Sequence, residues 1–374
     1  MIGVYIHVPY CTVRCSYCDF YLVAGGAPGA DAFVAALVNE IASVGPEIRG
    51  RAFDTLHLGG GTPSLLPPPL LRSILEAVRD ALAPAGGVET ALEANPEDVT
   101  PGRLADWTGL GFDRIAIGVQ SLEDRMLRRL GRPHDAAGAL AALAAARSSG
   151  FRSVAADLIL GLPGEEPERT LADLTRVIET GVDHLSLYLL EAHPRTRLGR
   201  ALELGRVPPF PDDRAAALWE AAADRAEAAG FEHYEISNFA RPGHRSRHNQ
   251  KYWTDADYAG FGPSAHSYVG GRRFANAPDL RRYLDTRGLG VERIEEPDEP
   301  PRRGAEALFA GLRLAEGVDL EALRGRHGAG IPAAGDPAVR LLVDAGLLQG
   351  AGRRLQLTRR GRLVSNEVFE RLLD

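Results

Sequence analysis

Six runs rich in β-branched and apolar residues recur along the first half of the chain. They are Val4–Val8, Thr55–Leu58, Val88–Ala94, Arg114–Val119, Ser153–Leu160 and His184–Leu190. Segments with a helical period separate them. In Leu70, Leu71, Ile74, Leu75, Val78 and Leu82 the apolar positions recur at three and four, with Pro67 to Pro69 marking the start and Pro84 the end. Asp31–Val44, Pro101–Leu110, His134–Ser149, Pro167–Thr180 and Asp212–Ala229 read as helices on the same grounds. Gly111, Gly150, Gly181 and Gly230 stop four of them in the manner of left-handed C-terminal caps. Strands alternating with helices predict parallel βαβ units. Polar or glycine residues follow every predicted strand: Cys11, Gly59–Thr62, Glu93 to Asn95, Gln120, Gly161–Pro163 and Tyr188 to Glu191. Chemistry gathered on that one face favours a partial (β/α)6 barrel over a doubly wound sheet.

After residue 230 the pattern changes. Ala201 to Pro211 reads as a loop. Residues 231–300 are mixed α/β, with strand-like pieces near Tyr234–Phe239 and Phe274, and Glu295 to Arg303 reads as a linker. Residues 301–374 read as a small module of helix (Leu341–Leu348), hairpin (at Leu355) and helix (Gly361–Leu373), a winged-helix-like order. The expected division is therefore 1–230, 231–300 and 301–374.

All three cysteines of the 374 residues fall in the segment Tyr5–Phe20, as Cys11, Cys15 and Cys18. An odd number at this spacing is not a disulfide framework. Three close thiolates suit an iron–sulfur cluster with one iron left open. A structural zinc site remains the alternative and needs a fourth ligand from elsewhere. Free thiols, with no apolar run of 18 residues and no signal peptide, point to a reducing, cytoplasmic setting. The formal net charge of −7 argues against a nucleic-acid surface. The basic residues are 42 arginines and Lys251 alone, a genome-like bias. From Pro301 onward 12 Arg face 9 Asp plus Glu, so that module is read as a packing or docking unit.

Gly59-Gly60-Gly61-Thr62 follows a strand and opens the backbone to close approach by a ligand. Glu93 closes an apolar strand, where a carboxylate is costly unless paired or ligand-bound. Gln120, Arg132 and Asp157 share that rim, and Arg132 suits a carboxylate partner. His248-Asn-Gln-Lys-Tyr-Trp253, with Tyr258, Phe261 and His266, suits a flat aromatic ligand with an axial nitrogen, as haem has. His248 is the first candidate ligand and His266 the second. His7 reads as a hydrogen-bonded core residue.

The C-x3-C-x2-C spacing resembles the signature of the radical S-adenosylmethionine (SAM) superfamily. Together with Leu58–Pro63, Leu92–Glu97, Ile117–Leu122, Asp157–Pro163, Tyr234–Ala240, His248–Trp253 and Gly260–Ser267, it is similar to the oxygen-independent coproporphyrinogen III oxidase family. That resemblance spans nearly the whole chain. It implies a [4Fe–4S] cluster on Cys11, Cys15 and Cys18, and SAM against Tyr5, Gly60 and Glu93. Tyr17, Gly61, Thr62, Gln120, Arg132 and Asp157 match positions that meet a second SAM in the oxidase. Of the family's two branches, one oxidatively decarboxylates porphyrinogen propionates in porphyrin biosynthesis. The other is a haem chaperone that hands haem to recipient haem proteins, membrane-associated respiratory proteins among them. Phe20 stands where the oxidase has a fourth cysteine, only ten residues precede Cys11, and His248-Asn…Tyr252-Trp253 resembles the chaperone's HNxxYW motif. A haem-binding chaperone that forms a homodimer is the expectation, and a coproporphyrinogen III dehydrogenase is the alternative.

Overall fold

The computed structural model describes residues 1–296, 300–328, 330–351 and 353–373. The six predicted strands form, the first four somewhat longer than the apolar runs: β1 (Ile2–Val8), β2 (Ala52–Gly60), β3 (Ala83–Ala94), β4 (Arg114–Gln120), β5 (Ser153–Leu160) and β6 (His184–Leu189). They lie side by side in sequence order, all parallel. Strand Tyr258–Phe261 adds to the outer edge of β1, also parallel. Antiparallel strands His266–Val269, Arg272–Asn276 and Arg293–Glu295 extend that side. Asn238–Ala240 and Glu232–His233 extend the other side, past β6. The twelve strands make one sheet with two free ends, so the barrel is open. Helices Ala30–Ala42, Pro68–Ala81, Pro101–Leu110, Ala136–Ser148, Pro167–Glu179 and Asp212–Ala228 connect the strands. Their apolar faces share one core with the sheet, around Phe33, Leu58, Ile74, Trp107, Ile115 and Ala222.

Local rules account for the ends of these helices. Thr100 and Asp135 accept hydrogen bonds from backbone N–H groups three residues on. Gly111, Gly150, Gly181 and Gly230 all have φ between 82° and 95°, the left-handed exit their spacing predicts.

The period of two along each strand decides what faces inward. Across neighbouring strands Tyr5 pairs with His57 and His57 with Ala91, while Glu93 pairs with Ala116 and Ala116 with Ala155. On this face polar side chains alternate with alanine and glycine. The small residues leave room for a ligand beside the polar ones.

Two expectations are corrected. The stretch from Ala201 is not all loop, because helix Arg197–Glu203 runs into it, capped by Thr196. Its amphipathic pattern is too short to stand out. The expected linker from Glu295 to Arg303 ends in a helix, Pro300–Leu312; residues 297–299 lie outside the described residues. The C-terminal residues have their own core around Leu308, Leu312, Leu342, Leu348 and Phe369, with Ile236 packed against it. A three-stranded antiparallel sheet, Val318–Asp319, Arg354–Leu357 and Leu348–Ala351, supports it. The predicted last helix is two, Arg359–Leu363 and Ser365–Leu373, and the predicted Leu341–Leu348 helix runs from Pro337 to Asp344. Among the described residues no helix is long and apolar enough to cross a membrane.

Candidate functional site at the strand C-termini

The carboxyl ends of all six strands meet a single cavity of about 800 Å³. It reaches from the three cysteines to the C-terminal module. Cys11, Cys15, Tyr17, Cys18, Gly60, Gly61, Thr62, Glu93, Gln120, Arg132 and Asp157 all line it. Thus eleven positions chosen from the sequence, spread over 147 residues, converge on one space.

Two loops interlock beneath the cysteines. The Gly61 N–H donates to the Val8 carbonyl at 2.8 Å and the Thr62 N–H to the Tyr10 carbonyl at 2.6 Å. Each glycine has its own reason. Gly60 adopts φ 101°, and a Cβ there would lie 2.6 Å from the His7 ring. At Gly61 a Cβ would lie 2.4 Å from the Tyr10 carbonyl oxygen, and at Gly59 it would strike the Glu93 carboxylate. The Thr62 hydroxyl lies 2.9 Å from the Cys11 sulfur, and the Arg132 guanidinium 3.6 Å from that of Cys15. Arg132 is fixed by the Asn95 side chain (2.7 Å) and the Gly118 carbonyl (2.8 Å). It reaches inward because helix Asp124–Leu130 ends at Gly131 with φ 78°.

These residues fit a cluster. Burial pushes the thiols of Cys11 and Cys18 up, and the neighbouring Cys15 sulfur adds to the rise of both. A cationic iron core removes that penalty, and Thr62 and Arg132 supply donors to the sulfurs. Among the described residues no three His, Cys, Asp or Glu side chains converge on one ion position. A cluster does not require this, since each thiolate takes a different iron.

Glu93 has a partner that the sequence reading did not single out. Its Oε1 lies 2.9 Å from His57 Nε2, and its Oε2 accepts from the Gly60 N–H at 3.3 Å. Below it three rings lie near-parallel: Tyr5 on His57 at 6.0 Å, and His57 on His248 at 5.1 Å. Tyr5 therefore stands under Glu93 and does not itself line the cavity. Burial raises its phenol well above the usual range. Gln120 holds φ 66° where the pairing of β4 with β5 slips by a residue. That bulge turns its side chain into the cavity. Burial raises the Asp157 carboxyl to about 6.

His248 sits elsewhere. Helix Arg247–Trp253 closes the other end of the barrel, its N–H groups at 247 and 248 bound to the buried Glu89 carboxylate. Arg152 pairs with Glu89 at 3.0 Å, and the buried Arg114 lies beside it. Both ring nitrogens of His248 are engaged, Nδ1 with Thr55 Oγ1 and Nε2 with the Tyr252 hydroxyl, each at 2.9 Å. The ring is 1% exposed, and burial lowers its pKa well below the usual histidine value. Coordination of iron through His248 requires the ring to leave one of these partners. His266 is exposed on its strand and does not line the cavity. His7 is buried, with Nε2 on the Tyr21 carbonyl at 2.9 Å. Period-two alternation places His57 with Thr55 and Gly59, which was the available signal for it.

An open parallel barrel with three cysteines after its first strand and a glycine turn after its second is the architecture of a radical SAM protein. Residues 5–197 match the radical SAM superfamily and residues 299–364 the HemN C-terminal domain. The chain is 32% identical over 378 residues to the heme chaperone HemW of Bacillus subtilis, covering 99% of this chain and 98% of that one. With HemW of Escherichia coli it shares 36% over 386 residues, covering 100% and 98%. The chain belongs to the HemW family of the radical SAM superfamily. Coproporphyrinogen III oxidase (HemN) of Escherichia coli has the same fold, with a TM-score of 0.85 over 99% of this chain and 89% of that one at 23% identity.

Proposed function

We propose that this protein is a haem chaperone: it binds haem and delivers it to recipient haem proteins, and it carries a SAM-binding [4Fe–4S] cluster. The observation that supports this most is the single cavity on which the three cysteines, the glycine turn and Glu93 converge, in a chain similar to heme chaperones from end to end. Cys11, Cys15 and Cys18 would hold three irons. Glu93 and Gly60 would meet SAM, with Tyr5 backing Glu93 through the ring stack. Thr62, Gln120, Arg132, Tyr17 and Asp157 line the remaining wall, Thr62 and Arg132 steadying the sulfurs. When bound, the cluster supplies a one-electron reductant and an iron that a ligand can reach.

Phe20 supports the chaperone over the oxidase. It is 66% exposed beside Cys18 at the cavity edge, where a further thiol would otherwise stand. We further propose the division 1–230, 231–300 and 301–374, a cytoplasmic location and a homodimer as the working form.

The test uses the full chain, reconstituted anaerobically with iron and sulfide. Hemin should produce a saturable Soret shift, and the loaded protein should restore the spectrum of an apo-haem protein. His248→Ala reports whether that ring takes part. Failure to shift hemin, or formation of protoporphyrinogen from coproporphyrinogen with SAM and a reductant, would displace the chaperone reading.

A further inference from the structure

The cavity has a second wall, away from the cysteines, built by the C-terminal module. Arg313, just after helix Pro300–Leu312, and Arg362, in helix Arg359–Leu363, both line it. Neither has a carboxylate within ion-pair distance among the described residues. Arg313 stacks on Trp253 at 4.4 Å, and its buried Nε has no hydrogen-bond partner. Arg362 donates to Nδ1 of His233, a ring that burial and the arginine itself hold neutral, its pKa lowered to about 3. Burial lowers the pKa of both guanidinium groups. The nearby carboxylate of Glu235 is committed to the Ser237 N–H and to Asn238. Carboxylates act on them only at longer range, Glu235 and Glu191 on Arg313 and Glu227, Glu235 and Glu316 on Arg362, so an anion entering the cavity still adds charge-assisted hydrogen bonds.

The same cavity is lined by the apolar Leu187, Leu189, Trp219, Ile236, Leu363 and Val364, and by the carboxylates Glu191 and Glu367. The volume lies in the upper part of the range for ligand pockets. The cavity combines two guanidinium groups from the C-terminal module, an apolar part of its lining and the three cysteines.

We propose that Arg313 and Arg362 anchor the propionate carboxylates of haem, with the macrocycle lying along the apolar wall toward the cluster. This rests on the haem-chaperone reading and adds where and by what chemistry the haem is gripped. A planar tetrapyrrole with two carboxylates suits two guanidinium groups lining one cavity. The SAM carboxylate does not, because SAM is expected at the cysteines. The anchor is independent of which side chain meets the haem iron.

The test compares hemin with hemin dimethyl ester, in which both carboxylates are masked, on the cluster-loaded full chain. Affinities come from the Soret band. The wild type should bind hemin at least tenfold tighter than the diester, as loss of charge-assisted hydrogen bonds implies. Arg313→Gln and Arg362→Gln should each lose most of that preference and leave diester binding unchanged, and Arg313→Lys should keep part of it. Equal wild-type affinity for hemin and diester, or a preference that survives in the double glutamine variant, overturns the anchor and leaves the chaperone reading standing. A wild type that binds neither porphyrin overturns both.

Discussion

The turn at Gly61 offers a sharp test of how the cysteine loop is held. A methyl added there would lie 2.4 Å from the Tyr10 carbonyl oxygen, 2.8 Å from the Val8 carbonyl oxygen and 3.0 Å from the Tyr10 carbonyl carbon. All three atoms are backbone, so no side chain can swing away. One loop must retreat from the other. The two hydrogen bonds that stitch them, from Gly61 to Val8 and from Thr62 to Tyr10, then stretch or break. Overpacking costs about 1–3 kcal/mol, and each weakened hydrogen bond adds about 0.5–1.5 kcal/mol. Gly61→Ala should therefore lose about 2–6 kcal/mol of local stability. Because Cys11 directly follows Tyr10, the variant should also load less iron under identical reconstitution. Hydrogen exchange of the Gly61 and Thr62 amides, with iron content per chain, reads both effects. Unchanged protection and full iron loading would refute the reasoning.

Further outcomes follow from other residues. His57→Ala removes the partner of Glu93 and should weaken SAM binding about tenfold by equilibrium dialysis, whereas His57→Gln should restore most of it; equal affinity in all three proteins contradicts the pairing. Asp157 has a folded pKa raised to about 6 against about 3.9 unfolded, so its charge costs stability at neutral pH, a cost relieved as pH falls from 7 toward 4. Asp157→Asn should stabilise the cluster-free protein by on the order of 2 kcal/mol at pH 7.5 and by almost nothing at pH 4, measured by urea unfolding. His233, held neutral with a pKa near about 3, acts in the opposite sense: its contribution is present above pH 6.5 and is lost as pH falls below that value. Protease sensitivity of the C-terminal module should rise between pH 6.5 and 5, and His233→Phe should flatten that rise.

Much of this was legible in the sequence for physical reasons. Parallel strands buried on both faces read as apolar runs, and left-handed glycines end helices where the backbone demands it. The three cysteines, the glycine turn and Glu93 stood out because their chemistry is costly without a partner. What escaped notice depends on tertiary contact. His57 looked like one more residue of a strand until register placed it under Glu93. Glu89 and Arg114 read as ordinary strand residues, yet they hold helix Arg247–Trp253 across the barrel end. Arg313 and Arg362 were two among 42 arginines, and only the docking of the C-terminal module onto the cavity distinguishes them. His248 carried a motif but no indication that both its nitrogens are committed.

The central claim is that three cysteines hold a cluster with one iron left accessible inside this cavity. Electron paramagnetic resonance of the reduced, reconstituted protein tests it directly. The account predicts a [4Fe–4S] signal that SAM shifts in the wild type, and that is lost when Cys11, Cys15 or Cys18 becomes alanine. A signal that SAM leaves unchanged, or one that survives loss of a cysteine, would contradict it.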